Sequence, residues 1–226
     1  MRKLKLQVQM TVDGFIAGPN GEMDFGVWDW DDALRQYVTD LTTPIDCIVL
    51  GRKLAEGFIP HWANVAADPA HPEFTAGQKF TNTHKVVFTR TLYKSAWDNT
   101  VLAKGDLVDE ITKLKAQDGG DIIAYGGATF VASLVKHGLI DEYHLFVNPA
   151  AIGSGLSIFQ TLDHKLPLTL AGATAFACGF QPPFEPCTGL QNADCPRPPH
   201  SLLGDGAAQL ALDVQRQVLA LSLIHI

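Results

Sequence analysis

The chain has 226 residues, 46% of them hydrophobic and 18% charged, enough apolar material for one generous core or a core with an appendage. Its 17 Lys and Arg stand against 24 Asp and Glu, and the net charge of −7 argues against broad attraction to nucleic acid or an anionic membrane surface. No apolar run reaches the roughly 18 residues of a membrane span, and the opening MRKLKLQVQM alternates instead of forming a signal-peptide block, so the expected location is cytoplasmic.

Residues 4–10 (LKLQVQM) alternate apolar and polar with period two, which predicts a strand with one face on a core. DGFIAGPNGEMDFG follows; Gly14, Gly18, Pro19, Gly21 and Gly26 crowd it into a long loop. Over 31–42, Leu34, Tyr37, Val38 and Leu41 recur at helical spacing behind Asp31 and Asp32. IDCIVLG (45–51), KVVFTR (85–90) and DIIAYGG (121–127) are short continuous apolar runs, the grammar of strands buried on both faces. Helical periods occupy 107–117 and 128–138, the second stopped by Gly138, and strand alternation returns at 141–153 and 168–179. Strands alternating with helices predict an α/β fold with a mainly parallel sheet and right-handed crossovers.

Beyond Gly179 the composition changes: six of the 13 prolines fall within 21 residues, which reads as a linker and not as a central strand. A shifted reading frame would leave the same abrupt break. Residues 204–226 hold helical material, and the apolar letters from Leu221 to Ile226 make an oily end with no evident support. Cys47 lies in an apolar run and reads as a buried thiol. Cys178, Cys187, Cys195 and His200 are too irregularly spaced for a zinc site, and no metal is expected.

Three buried runs end in features suited to phosphate: Gly51-Arg52-Lys53, Thr89-Arg90-Thr91, and Gly126-Gly127-Ala128-Thr129. In an open parallel sheet these loops converge on one crevice at the carboxyl ends of the strands. The glycine pair opens a helix, where missing Cβ atoms and free N–H groups suit a pyrophosphate. Arg52 with Lys53, and Arg90 with Thr89, offer charge and hydrogen-bond donors at two separate loops, which suits the extra 2′-phosphate of NADP better than NAD. Taken singly, each of these residues reads as an ordinary solvated strand end; their shared placement carries the inference.

MTVDGFIAGPNGEMDF, IVLGRKLAEGF, VVFTRTL, GDIIAYGGATFVASLVKHGLIDEYHLFVNPAAIGSG and ATAFACG resemble, in order, the dihydrofolate-reductase-like family that includes the C-terminal reductase domain of riboflavin-biosynthesis enzymes, in its stand-alone bacterial form. The resemblance covers about residues 1–178 and leaves 179–226 as a Pro-rich linker and tail. It implies a mainly parallel central sheet flanked by helices with an irregular C-terminal appendage, NADPH as cofactor, a small-molecule substrate and a homodimer. It assigns Gly51 and Arg52 to the cofactor loop, Thr89 and Arg90 to the adenosine phosphate, and Gly126, Gly127, Ala128 and Thr129 to the pyrophosphate. Asp13, Gly14, Phe15, Ile16 and Ala17 match the segment beside the nicotinamide. Leu54 stands where relatives commonly carry a threonine, and FQPPFEPC stands where they carry a further apolar strand, which leaves the final sheet strand missing.

Hydride transfer also needs a proton source. Asp32 and Asp31, at the head of a helix facing the nicotinamide in the resembling fold, are the candidate catalytic acids, with helix stabilisation as the simpler role for each. Trp28 and Trp30 are candidates to stack on a flat heterocycle such as a pterin or pyrimidine. The reading is an NADPH-dependent reductase; the alternative is a dinucleotide-binding or dimerising protein of the same fold without catalysis.

Overall fold

The structure, a computed structural model, describes residues 1–26, 30–176 and 218–225. Its strands are β1 (Leu4–Thr11), β2 (Ile45–Gly51), β3 (His84–Phe88), β4 (Thr100–Ala103), β5 (Asp121–Tyr125), β6 (Glu142–Asn148), β7 (Leu168–Phe176) and β8 (Val218–His225). The helices are α1 (Asp32–Thr42), α2 (Arg52–Ala67), α3 (Phe74–Asn82), α4 (Leu107–Ala116) and α5 (Ala128–Lys136). All eight strands form one sheet in the order β4-β3-β2-β5-β1-β6-β8-β7. The neighbours from β4 to β6 pair parallel, and β8 runs antiparallel to both β6 and β7.

The mainly parallel sheet follows from the chain's grammar, because each apolar run of β2, β3 and β5 must be covered on both faces. One face buries Leu4, Leu6 and Val8 of β1 with Val49, Ile122 and Leu145 against Ile111 of α4 and Val131 and Leu134 of α5. On the other face, Ile48, Leu50, Val87 and Ile123 meet Leu41 of α1 and Ala55 and Ile59 of α2. A further cluster on that side joins Leu34 of α1 to Phe146, Phe176 and Ala220. Between the two clusters runs the polar face of β1, with Lys5, Gln7 and Gln9. The alternation expected of a half-exposed strand therefore belongs to a central one, and its polar side points inward: Gln7 is only 9% exposed.

The far end of the sheet overturns one expectation. Leu221 and its neighbours are not an unsupported oily end but part of β8, which fits between β6 and β7 with Tyr143 opposite Leu223, Leu145 opposite Leu221 and Ala173 opposite Leu221 on its other side. Nor is the final strand missing, since an apolar segment of strand length supplies it from far along the chain. The helical material expected at 204–226 is strand over 218–225; the Pro-rich stretch, Cys178, Cys187, Cys195 and His200 lie outside the described residues. Two helices and a strand had no clear sequence signal: α2 carries Gly57 and Pro60 inside it, α3 is short, and β4 has four residues. Cys47 is a buried thiol, 2% exposed, and desolvation pushes its pKa up to about 11.

Leu6, fully buried at the centre of the sheet, anchors the α4–α5 side. Leu6→Ala is expected to remove about 3 kcal/mol of unfolding free energy in urea titration, and a loss below about 1 kcal/mol would contradict this packing.

Candidate active site

The carboxyl ends of β1, β2, β3, β5 and β6 lie along one edge, so the loops that follow them gather there. Two helices begin on this edge without any side-chain cap, α2 after Gly51 and α5 after Gly127, leaving their first N–H groups open. The two turns also touch. A Cβ on Gly51 would lie 2.8 Å from Cβ of Phe130, and the Leu54 side chain packs over Gly126 and Gly127, 3.9 and 3.7 Å from where their Cβ atoms would stand. Gly126 and Gly127 hold φ values of 42° and 78°, the left-handed region that other residues enter at a cost of roughly 1–2 kcal/mol. Glycine at 51, 126 and 127 thus brings two positive helix ends side by side, a cradle of open N–H groups.

The expected cofactor residues stand around this cradle in different states of readiness. Arg52 is bound to Glu56 one turn on, at 2.7 Å. Such an exposed pair is worth only about 0.3–0.5 kcal/mol, so a phosphate can take the guanidinium at small cost. Lys53 and Arg90 are exposed. Thr89 is buried, and its hydroxyl accepts hydrogen bonds from the N–H groups of Thr91 and Leu92, both at 3.1 Å, which shapes the turn that presents Arg90. Ala128 is buried and Thr129 exposed in the first turn of α5. Ala17 bridges Leu156, tying the loop after β1 to the segment after β6.

Asp13 has its carboxylate engaged by the Thr11 hydroxyl at 2.5 Å and by the N–H groups of Ile152 and Gly153 at 3.1 and 2.8 Å. The Thr11 hydrogen bond is the largest influence holding its pKa below the usual carboxylate value. Asp13 thereby clamps the loop after β1 to the segment after β6. Asp31 caps α1, accepting from the N–H of Leu34 at 2.7 Å, whereas Asp32 stands exposed in the first turn. The cap commits one carboxylate oxygen of Asp31 to the helix backbone. Trp30 stacks on Phe146 with ring centroids 6.4 Å apart, and Trp28 lies outside the described residues.

Sequence reasoning missed the polar lane beneath α1. The Tyr37 hydroxyl lies 3.0 Å from Nδ1 of His144, and Glu142 lies 3.6 Å from Nε2 on the other side of the ring. Lys3 and Lys5 hold Glu142 at 2.6 and 3.7 Å, and Lys5 reaches Asp121 at 3.0 Å. Asn148 donates to Gln9 at 2.9 Å. Desolvation pushes the His144 pKa down, keeping the ring neutral, and pushes the Tyr37 and Tyr125 hydroxyls up. The signal was present in LKLQVQM: polar letters at 5, 7 and 9 on a strand that βαβ topology makes central.

Two concavities lie elsewhere. One of about 610 Å³ opens at the amino ends of β2 and β3, among Asp46, Lys79, His84 and Asn99, on the edge opposite the cradle. Another, of about 300 Å³, is lined by Phe58, Trp62, Phe80, Trp97 and Lys85. Lys85 donates to the carbonyls of Thr81 and Thr83 at 2.8 and 2.6 Å, which satisfies the C-terminal end of α3.

A mainly parallel sheet of this order, with helices on both faces, is the dihydrofolate-reductase-like architecture. Dihydrofolate reductase from Enterococcus faecalis, in a structure complexed with NADP(H), shares it at a TM-score of 0.52 and 13% identity over 99% of this chain and 96% of that one. So does the Thermotoga maritima diaminohydroxyphosphoribosylaminopyrimidine deaminase/5-amino-6-(5-phosphoribosylamino)uracil reductase, at a TM-score of 0.59 and 15% identity, with all of this chain covering 57% of that one. At such identities the likeness concerns the fold. The chain belongs to the RibD C-terminal domain family, whose model matches residues 2–181. The uncharacterized protein YyaP of Bacillus subtilis (strain 168) is 31% identical over 182 residues, 79% of this chain and 91% of that protein. No helix among the described residues is long and apolar enough to cross a membrane.

The lowered pKa of His144 sets a pH dependence. Below about pH 6.5 the unfolded histidine takes up a proton that the folded one refuses, so stability falls as pH drops through that value. In His144→Asn the loss of stability between about pH 7.5 and 5.5 is expected to shrink in urea titrations; an unchanged slope would contradict a neutral buried ring.

Proposed function

We propose that the chain is an NADPH-dependent reductase acting on a small heterocyclic, ribosylamino-pyrimidine or pterin-like molecule. The observation that carries this reading is the pair of uncapped helix starts brought together through Gly51, Gly126 and Gly127. NADPH fits them: its pyrophosphate would meet the N–H groups opening α2 and α5, with Arg52, Lys53, Thr89 and Arg90 available to the adenosine end and its 2′-phosphate. When bound there, NADPH supplies a hydride. The chain's own part is to hold that cofactor beside the loop from Asp13 to Ala17, to turn Trp30 and the head of α1 toward the ring to be reduced, and to provide a proton. Asp32 is the proposed donor, since Asp31 is committed to the cap.

Family membership, and a fold shared with a uracil reductase and with a dihydrofolate reductase complexed with NADP(H), support this reading. Leu54 occupies the place beside Gly126 and Gly127 with methyl groups and offers no hydroxyl to the cofactor. A homodimer is part of the proposal; β7, the end strand, exposes every residue from Thr169 to Ala175, and an uncovered edge strand favours pairing. A dinucleotide-binding or dimerising protein without turnover is the second reading, and the engagement of Asp31 as a cap favours it.

Titration followed by nicotinamide fluorescence at fixed salt tests the first reading. NADPH is expected to bind more tightly than NADH, and Arg52→Ala or Arg90→Ala to weaken NADPH by about tenfold each, the worth of one charge-assisted hydrogen bond to a phosphate. Absence of binding by folded dimer would contradict the reading; binding without turnover in a reductase screen would establish the second.

A further inference from the structure

Among the described residues, four buried side-chain polar atoms lack a hydrogen-bond partner: Oε1 of Gln7, the hydroxyls of Tyr125 and Tyr143, and Nε2 of His144. Three of the four belong to one row. Gln7 of β1 stands in register with Tyr125 of β5 on one side and His144 of β6 on the other, so all three side chains leave the same face of the sheet. Neighbouring strands lie about 4.8 Å apart, so the row presents a donor or acceptor at each of three evenly spaced points. Gln7 and His144 are 9% and 7% exposed.

A buried polar atom left unpaired is costly, and Oε1 of Gln7 and the Tyr125 hydroxyl, beside an imidazole whose Nε2 has only Glu142 at 3.6 Å, are an expense the fold does not need. Isosteric Leu or Phe would pack at these positions as their neighbours Ile123 and Phe146 do. Position gives the row a use. Tyr125 immediately precedes Gly126 of the cradle, so the row runs from that turn, where Phe58 of α2 and Phe80 of α3 cover Tyr125, to Tyr37 of α1 at His144. Its surroundings are aromatic: Tyr125 stacks on Phe58 at 5.4 Å, Tyr37 lies edge-on to His144 at 6.2 Å, and Trp30 stacks on Phe146. Amide, phenol and imidazole carry no charge here. The nearest carboxylate, Glu142, is already held by Lys3 and Lys5.

We propose that Tyr125, Gln7 and His144, with Tyr37 positioning the imidazole, form the polar floor that hydrogen-bonds the uncharged edge of the substrate's ring, and that this row selects the substrate. The proposal rests on the reductase reading for its substrate. It places ring recognition on the sheet, and the carboxylates at the head of α1 take no part in it. The Gln7 amide offers a donor and an acceptor together and so matches a ring edge that alternates C=O and N–H.

Two fluorescent rings with one skeleton separate the possibilities: lumazine, whose edge alternates C=O and N–H, and diaminopteridine, whose amidine edge binds best beside a carboxylate. Each is titrated into the full chain with NADPH present, and NADPH binding is measured in the same samples. Lumazine is expected to bind at least tenfold more tightly than diaminopteridine, and Gln7→Leu and Tyr125→Phe to weaken it about tenfold each. The melting temperature of each variant should hold or rise, because it deletes an unpaired buried polar atom. Preference for diaminopteridine would overturn the proposal. So would variants that melt lower while binding lumazine unchanged, or NADPH binding with no lumazine binding. Loss of NADPH binding alone contradicts the reductase reading, and variant-sensitive lumazine binding in that case still supports the floor.

Discussion

The site depends on one steric constraint, the close approach of the β2–α2 and β5–α5 turns. A side chain at residue 51 would strike Phe130, and side chains at 126 and 127 would be forced into left-handed backbone beneath Leu54. Because all three are glycine, two helices start next to each other on the same edge of the sheet with their N–H groups open. The parallel order β3-β2-β5-β1 puts these turns beside the ends of β1 and β3, so Arg90 and the loop at Asp13 arrive at the same place. Glycine spacing becomes sheet geometry, and sheet geometry sets two open helix starts side by side.

A second constraint acts on the sheet itself. β1 is central, yet one of its faces is polar, and the fold contains that face by different means along its length. Lys5 is neutralised by Asp121 and Glu142 near the amino end, and Gln9 is bonded by Asn148 near the carboxyl end. Gln7, between them, is left with an unpaired atom next to those of Tyr125 and His144. The apolar clusters on either side remain separate because of this lane, one gathered around α2 and one around the start of α1.

Much of this was legible in the sequence, and the exceptions have physical causes. The strands β2, β3 and β5 announced themselves as unbroken apolar runs, and Gly51, Thr89-Arg90 and Gly126-Gly127 stood at their ends as expected. Helix α2 was hidden by Gly57 and Pro60, residues that usually break helices but are tolerated here in a helix packed on the sheet. Strand β8 was hidden by sequence distance, because a strand that joins a sheet far from its neighbours carries no local sign of its pairing. The aspartates at the head of α1 looked chemical, and one of them proved to be a cap, the commoner use of that residue at that place. The polar row was missed because alternation reads as an exposed face until the strand's central position is known.

Amide NMR spectra of the folded chain recorded as NADPH is added test the central claim most directly. The account expects the largest shifts at Gly51 to Lys53, Thr89 and Arg90, and Gly126 to Thr129, the backbone groups that open α2 and α5 and the turn after the neighbouring β3. Shifts centred instead on Asp46, Asn82 and His84, at the opposite edge of the sheet, would contradict it.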